Sequence, residues 1–244
     1  MQAMIFAAGL GTRLRPLTHR TPKPLVEVGG VPMLERVALR LVDEGAERLV
    51  INVHHLGDQV QAFVRERDGF GVETIVVQEP GDEPLETGGG LAHAAPHFLR
   101  DRPILVHNSD ILTDIPLAEL YRLHRAADGP LATLAVMERD TSRHLLFDDD
   151  GLLGWANLDT GQERRVREAT GDLRRHAFSG VHVVSARVLD LFTETGAFPI
   201  FGPYLRMVAG GERILPHRVD EHRWIDIGTH DDLELARKWV EAAA

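Results

Sequence analysis

Residues Met4–Pro24 read MIFAAGLGTRLRPLTHRTPKP, and this stretch decides how the rest of the chain is read. The apolar run Met4–Ala8 has the length of a buried strand. It breaks into Gly9-Leu10-Gly11-Thr12, a turn with two positions free of Cβ. Four cations follow, Arg13, Arg15, Arg20 and Lys23, and no Asp or Glu occurs before Glu27. A strand that feeds a glycine turn and a cationic loop suits a polyanion, because backbone N–H groups and fixed positive charge converge there.

The surrounding chain is acidic. It carries 37 Asp+Glu against 27 Lys+Arg, for a net charge of −10 over 244 residues. That balance disfavours nucleic acid as a partner but not a nucleotide held at one basic site. No apolar run approaches membrane-spanning length and no secretory leader is expected, so no membrane partner is expected and a cytoplasmic monomer is. Cysteine is absent, which removes disulfides, thiolate nucleophiles and thiolate-bound metals. The only lysines are Lys23 and Lys238. A lysine between Pro22 and Pro24 in an Arg-rich chain offers a compact point charge where a guanidinium fork would be broad.

Outward from the opening stretch, short apolar runs alternate with helical patterns. Strands are expected at Met4–Ala8, Arg48–Val53, Glu73–Gln78, Ile104–His107, Ala132–Met137 and Phe178–Val184. Helices are expected at Met33–Glu44, Gly57–Arg67, Gly88–Ala94 and Leu117–Ala126. The fold class is therefore α/β, with a mostly parallel central sheet flanked by helices and ligands at the carboxyl ends of strands. One domain spans 1–244, with a subregion of different pattern near 138–220. There the pattern turns to hairpins, and Asp148-Asp149-Asp150-Gly151 reads as a solvated turn.

Familiar nucleotide loops fail the spacing. A dinucleotide turn needs a glycine where Leu14 stands, and no Gly-Lys-Ser/Thr follows for a P-loop. Asp110 follows the apolar run Ile104–Val106 and reads either as a turn residue or as a metal ligand at a strand end. Asp226 lies between Ile225 and Ile227 and needs a cation or a metal. If Asp110 and Asp226 meet, two carboxylates plus phosphate oxygens make the hard donor set of Mg²⁺. Gln78 could read a base edge, and Gly88-Gly89-Gly90 would let a flat ring lie on backbone. His93 and His97 have zinc-like spacing, but Pro96 interrupts them, and no histidine is assigned to metal.

Together these motifs resemble the sugar-1-phosphate nucleotidyltransferase family. The resemblance rests on Ala7–Leu14, Pro22-Lys23-Pro24, Asn52-Val53, Glu86-Thr87-Gly88, Asn108-Ser109-Asp110, Phe178-Ser179-Gly180 and Asp226–Thr229. Glu86–Gly90, Gly154–Asn157 and Thr160-Gly161 look most like the short N-acetylmuramate-1-phosphate uridylyltransferases of cell-wall recycling. Mannose-1-phosphate guanylyltransferases, glucose-1-phosphate thymidylyltransferases and a non-catalytic nucleotide-sugar-binding subunit remain as alternatives. The resemblance implies a Rossmann-like, GT-A-like fold. It also implies a nucleoside triphosphate, with UTP favoured, and a sugar 1-phosphate as substrates. By that likeness Arg13, Lys23 and Asp110 are catalytic, and Asp110 and Asp226 hold Mg²⁺. Ala8, Gly9, Gly11, Thr12, Arg13, Gln78 and Gly88 would hold the nucleotide, and Glu86, Asn157 and Gly180 the sugar, with the subregion near 138–220 as the sugar-binding part.

Overall fold

The computed structural model describes residues 1–242. The first half of the chain gives β1 (Gln2–Phe6), β2 (Glu27–Val28), β3 (Val31–Pro32), α1 (Met33–Asp43), β4 (Arg48–Val53), α2 (Gly57–Glu66), β5 (Glu73–Gln78), α3 (Glu86–His93), β6 (Ile104–Asn108), β7 (Ile111–Thr113) and α4 (Leu117–Ala126). The second half gives β8 (Ala132–Met137), β9 (Arg143–Asp148), β10 (Gly151–Asn157), β11 (Gln162–Arg165), β12 (Arg174–Val184), α5 (Val188–Leu191), α6 (Phe201–Ala209), β13 (Ile214–Arg218), β14 (Trp224–Asp226) and α7 (His230–Ala242).

One ten-stranded sheet runs through the molecule. Strands β5, β4, β1 and β6 lie side by side and parallel. Strand β12 then joins β6 antiparallel, and β9, β10 and β11 continue from it antiparallel. Strand β8 also pairs with β12, and β13 runs parallel to β8. The sheet is thus parallel in its first half and mixed in its second.

Alternation along the strands explains why both faces are covered. In β1, Ala3 and Ile5 enter one core cluster and Met4 the other. In β4, Leu49, Ile51 and Val53 face one way and Val50 the other. A sheet apolar on both faces must be sandwiched by helices. Helices α1, α2, α4 and α7 pack on one side, through residues such as Leu34, Leu41, Val60, Leu120 and Leu233. Helices α3, α5 and α6 pack on the other, through Leu91, Val188, Tyr204 and Leu205. The buried stripe of α1 is Leu34, Val37, Ala38 and Leu41, at helical spacing. That helix stops where Gly45 takes φ +100° and the Ala46 N–H returns to the Leu41 carbonyl at 2.8 Å.

Most expected elements appear within two residues of their expected ends, but three details differ. Strand β1 ends at Phe6, not Ala8, because the Ala7 N–H leaves the ladder for the Asn52 side chain. Strand β12 starts at Arg174, four residues before the expected Phe178, because its first residues pair with β9. The Asp148-Asp149-Asp150 run does close the β9–β10 hairpin, but Asp148 is not solvated. It is buried and takes two 2.6 Å bonds from the Arg167 guanidinium, which hold its pKa far below the usual carboxylate range. Among the described residues no helix is long and apolar enough to cross a membrane.

Candidate active site

The loop after β1 is shaped by three polar contacts and one buried leucine. The Ala7 N–H donates to Asn52 Oδ1 at 3.0 Å, and the Phe6 carbonyl accepts the Ser109 N–H at 3.0 Å. These bonds turn the chain out of the sheet. Gly11 has φ +63°, and a Cβ there would lie 2.9 Å from Thr18 Cγ2 and 3.1 Å from Lys23 Cβ. The Thr18 hydroxyl closes the loop by donating to the Gly11 carbonyl at 2.7 Å. Leu14 is fully buried, so the position where a dinucleotide turn needs glycine here anchors the loop in the core. Thr12 begins a short 3₁₀ turn that ends at Leu14. Nothing approaches within 4 Å of the place a Cβ would take on Gly9.

That open space belongs to a cleft of about 380 Å³ at the carboxyl ends of β1, β4 and β6. Its wall is lined by Phe6, Ala8 and Gly9 at and after the end of β1, by Asn52, by Pro84, Glu86 and Thr87 before and in α3, and by Asn108 and Asp110 at and after the end of β6. The expected pocket position, at strand ends, is therefore met. Glu86 has φ +59°, an uncommon left-handed conformation for a non-glycine residue, at the lip of this cleft.

The charged centre lies at the Asp110 end. Lys23 is only 9% exposed, and its ammonium contacts Asp110 directly and sits 3.7 Å from Asp226 Oδ1. The ribbon of β7 and β14 is what delivers Asp226, since Asp226 stands opposite Ile111 in antiparallel register. The Ile227 N–H then bonds the Asp110 carbonyl at 3.0 Å. Burial and the neighbouring Asp110 charge raise the Asp226 pKa, while Lys23 and Arg13 oppose the rise. Arg13 reaches the same corner from the first loop. Its guanidinium lies where a Cβ on Gly228 would come within 2.6 Å of Nη2.

Asp226 Oδ1 is buried and has no hydrogen-bond partner. An orphaned carboxylate oxygen beside a second carboxylate is an electrostatic demand for a cation. Asp110 and Asp226 thus fit a hard divalent ion. Among the described residues no group of three or more His, Cys, Asp or Glu side chains is placed to hold a metal. The remaining donors would be phosphate oxygens and water, the set Mg²⁺ prefers.

Several expected residues stand elsewhere. Gln78 is outside the cleft wall; its amide donates to the carbonyls of His54 and Glu79, both at 3.3 Å, and its Oε1 lies against Gly57. Asn157 caps the β10–β11 turn, where its Oδ1 accepts the N–H groups of Asp159 and Thr160. Gly180 is one layer back, with φ +81° and a missing Cβ that would press within 2.9 Å of the Asn108 amide. The space over Gly88–Gly90 is filled by protein rather than left for a flat ring. A Cβ on Gly88 would meet Phe198 at 2.5 Å and one on Gly89 the Gly196 carbonyl at 2.4 Å. The N–H groups of Gly88 and Gly89 both go to the Phe198 carbonyl.

Asn52 and Glu79 carry more than the sequence assigned them. Both are 2% exposed, and Asn52 Nδ2 donates to Glu79 Oε1 at 2.5 Å. Glu79 Oε2 in turn accepts the Leu85 N–H at 2.7 Å. One buried relay therefore ties the glycine loop, through Ala7, to the Glu86 lip. A lone amide inside the apolar strand Leu49–Val53 was the signal for it.

Comparison with known proteins places this geometry in a family. A family model described as nucleotidyl transferase matches residues 2–147, more than half of the chain. The chain belongs to the nucleotidyl transferase family. Within this family it is 34% identical over 211 residues to an N-acetylmuramate alpha-1-phosphate uridylyltransferase of Caulobacter vibrioides, covering 86% of this chain and 85% of that protein. It is 32% identical to the enzyme of the same description from Neisseria meningitidis, covering 94% of each. A mannose-1-phosphate guanylyltransferase catalytic subunit beta from Drosophila pseudoobscura is 37% identical, but over 62% of this chain and 42% of that protein. The fold is shared with HddC from Yersinia pseudotuberculosis complexed with GMP-PN. That structure superposes with a TM-score of 0.76 at 21% identity, over 98% of this chain and 99% of that one.

Proposed function

We propose that the protein transfers a uridylyl group from UTP to N-acetylmuramate 1-phosphate, releasing pyrophosphate, in the cytoplasm. The observation that carries the reaction class is the Lys23–Asp110–Asp226 cluster, a buried ammonium against two carboxylates at the mouth of a strand-end cleft. Two anions that repel each other need such a centre more than they need a proton acceptor. The choice of base and sugar draws on the Caulobacter and Neisseria relatives, which match nearly end to end, whereas the guanylyltransferase match covers under half of that protein.

In this reading a phosphate oxygen of the sugar attacks the α-phosphorus, and the bond to the β-phosphate oxygen breaks. The nucleophile is already ionised, since the second pKa of a phosphate monoester is near ~6. No general base is required. Gly9 leaves room for the nucleotide to approach backbone, and Gly11 with Thr12 begins the turn beneath it. Arg13 sets positive charge against the β- and γ-phosphates, and Lys23 sets it against the phosphates that react. Mg²⁺ held by Asp110 and Asp226 would supply charge neutralisation between the two phosphates. The work of the chain is to position both substrates and to stabilise negative charge as it builds.

A panel tests this. UTP, dTTP, GTP and CTP are each paired with N-acetylmuramate, N-acetylglucosamine, glucose and mannose 1-phosphates, and pyrophosphate is measured. UTP with the muramate should give the highest kcat/KM. A higher value for another pair would replace the substrate assignment, and no pyrophosphate from any pair would sink the reaction class.

A further inference from the structure

Arg139, just past β8, has a guanidinium with unusual surroundings. Its Cζ lies 4.6 Å from the centre of the Trp224 ring. The ring is itself fixed, because the Trp224 indole N–H donates to the Ser179 carbonyl at 2.6 Å. Arg139 Nη2 makes one long bond, 3.4 Å to the Phe178 carbonyl. Among the described residues no carboxylate lies within ion-pair distance of it, although its neighbour Glu138 is paired with Arg218 at 3.0 Å. A stacked guanidinium with most of its donors uncommitted presents a planar fork that matches a carboxylate.

Its location ties it to the reacting centre. Trp224 and Asp226 are two apart on β14, so they share a face. Asp226 is close enough to pull the Arg139 pKa up against the lowering effect of burial. Ser179, under the indole, leads into Gly180 at the register shift of β12, and Gly180 abuts Asn108 of the cleft wall. A path of packed groups thus runs from Arg139 to the cleft on the side of Asp110 and Asp226.

We propose that Arg139, propped on Trp224, reads a carboxylate on the acceptor and so selects sugar 1-phosphates that carry a second anionic group. This rests on the muramate reading above. N-acetylmuramate differs from N-acetylglucosamine by a lactyl ether, and the carboxylate of that ether is the group Arg139 would meet. Arg139 here is a specificity residue; it takes no part in the phosphoryl chemistry.

The test compares wild type, Arg139→Gln and Arg139→Lys by titration calorimetry with N-acetylmuramate 1-phosphate and N-acetylglucosamine 1-phosphate, and by KM for UTP. Calorimetry reads affinity even for a sugar that is not turned over. A charged hydrogen-bonded pair predicts a loss of roughly ten- to a hundredfold for the muramate in Arg139→Gln. Arg139→Lys should recover part of it, since charge remains but the stacked fork does not. Affinity for the glucosamine and KM for UTP should change less than about twofold. Equal losses for both sugars, a loss confined to UTP, or no loss would each overturn the role of Arg139 while leaving the wild-type preference standing. Wild type that fails to bind the muramate would instead overturn the substrate reading, and this proposal with it.

Discussion

Lys23 offers the sharpest single perturbation. Lys23→Met keeps the volume of the stem, which matters because Lys23 is only 9% exposed. The substitution removes the one ammonium between Asp110 and Asp226. At the observed 3.7 Å between Nζ and Asp226 Oδ1, an effective dielectric of ~20 gives about 4.5 kcal/mol of attraction. The Asp226 side chain is 36% exposed, so screening leaves about 2 kcal/mol. Two effects follow. Loss of a preorganised positive donor at the reacting phosphates should lower kcat roughly 10²–10³-fold. Two uncompensated carboxylates should also make the free enzyme more dependent on a divalent ion, so Mg²⁺ should raise the Tm of Lys23→Met by more than it raises that of wild type. Pyrophosphate release and thermal unfolding with and without Mg²⁺ read both. A folded variant with turnover within about threefold of wild type would refute the assignment of Lys23.

The other predictions address the metal, the buried relay, the loop anchor and pH. Asp226→Asn should raise the Mg²⁺ needed for half-maximal rate and cut activity at least about 10²-fold, and an unchanged Mg²⁺ titration would remove Asp226 from the metal site. Asn52→Ala leaves the Ala7 N–H and Glu79 Oε1 without their partners in the interior, so urea unfolding should show a loss of about 2–4 kcal/mol. Leu14→Gly restores the spacing of a dinucleotide turn but empties a fully buried site, so it should cost about 3–5 kcal/mol and bring no dinucleotide binding by calorimetry. Burial lowers the pKa of His107 and His124 to about 4 and of His182 to about 3. The unfolded chain then holds more protons than the folded one between those values and ~6.5, so stability falls with falling pH, by up to ~1.4 kcal/mol per pH unit for each histidine. A urea midpoint that rises or stays flat from pH 7 to pH 5 would contradict this.

Much of the fold was legible because local patterns carried it. The strands Arg48–Val53, Glu73–Gln78 and Ala132–Met137 and the helix Leu117–Ala126 have the ends their apolar periods suggest. The short ribbon of β7 and β14 was not legible as a pair. Three residues are too few for a period, and its strands lie more than a hundred residues apart. The glycines of α3 misled for a different reason. A run without Cβ says that something comes close to backbone but not what, and here it is Phe198 and Gly196 rather than a ring of the ligand. Asp148 misled likewise, because only the approach of Arg167 from nineteen residues away decides that it is buried and paired.

Met4–Pro24 could be read from its residues alone as a strand, a glycine turn and a cationic loop, because chain geometry and local charge are set over a few neighbouring residues. The sequence also ruled out a dinucleotide turn, through Leu14. Tertiary structure alone decided what the loop's lysine faces. Pairing of β14 with β7 sets Asp226 beside Asp110 and closes both around Lys23, and the same ribbon lays Trp224 under Arg139. Those meetings depend on strand register and on the path of the whole sheet, and no local pattern encodes either.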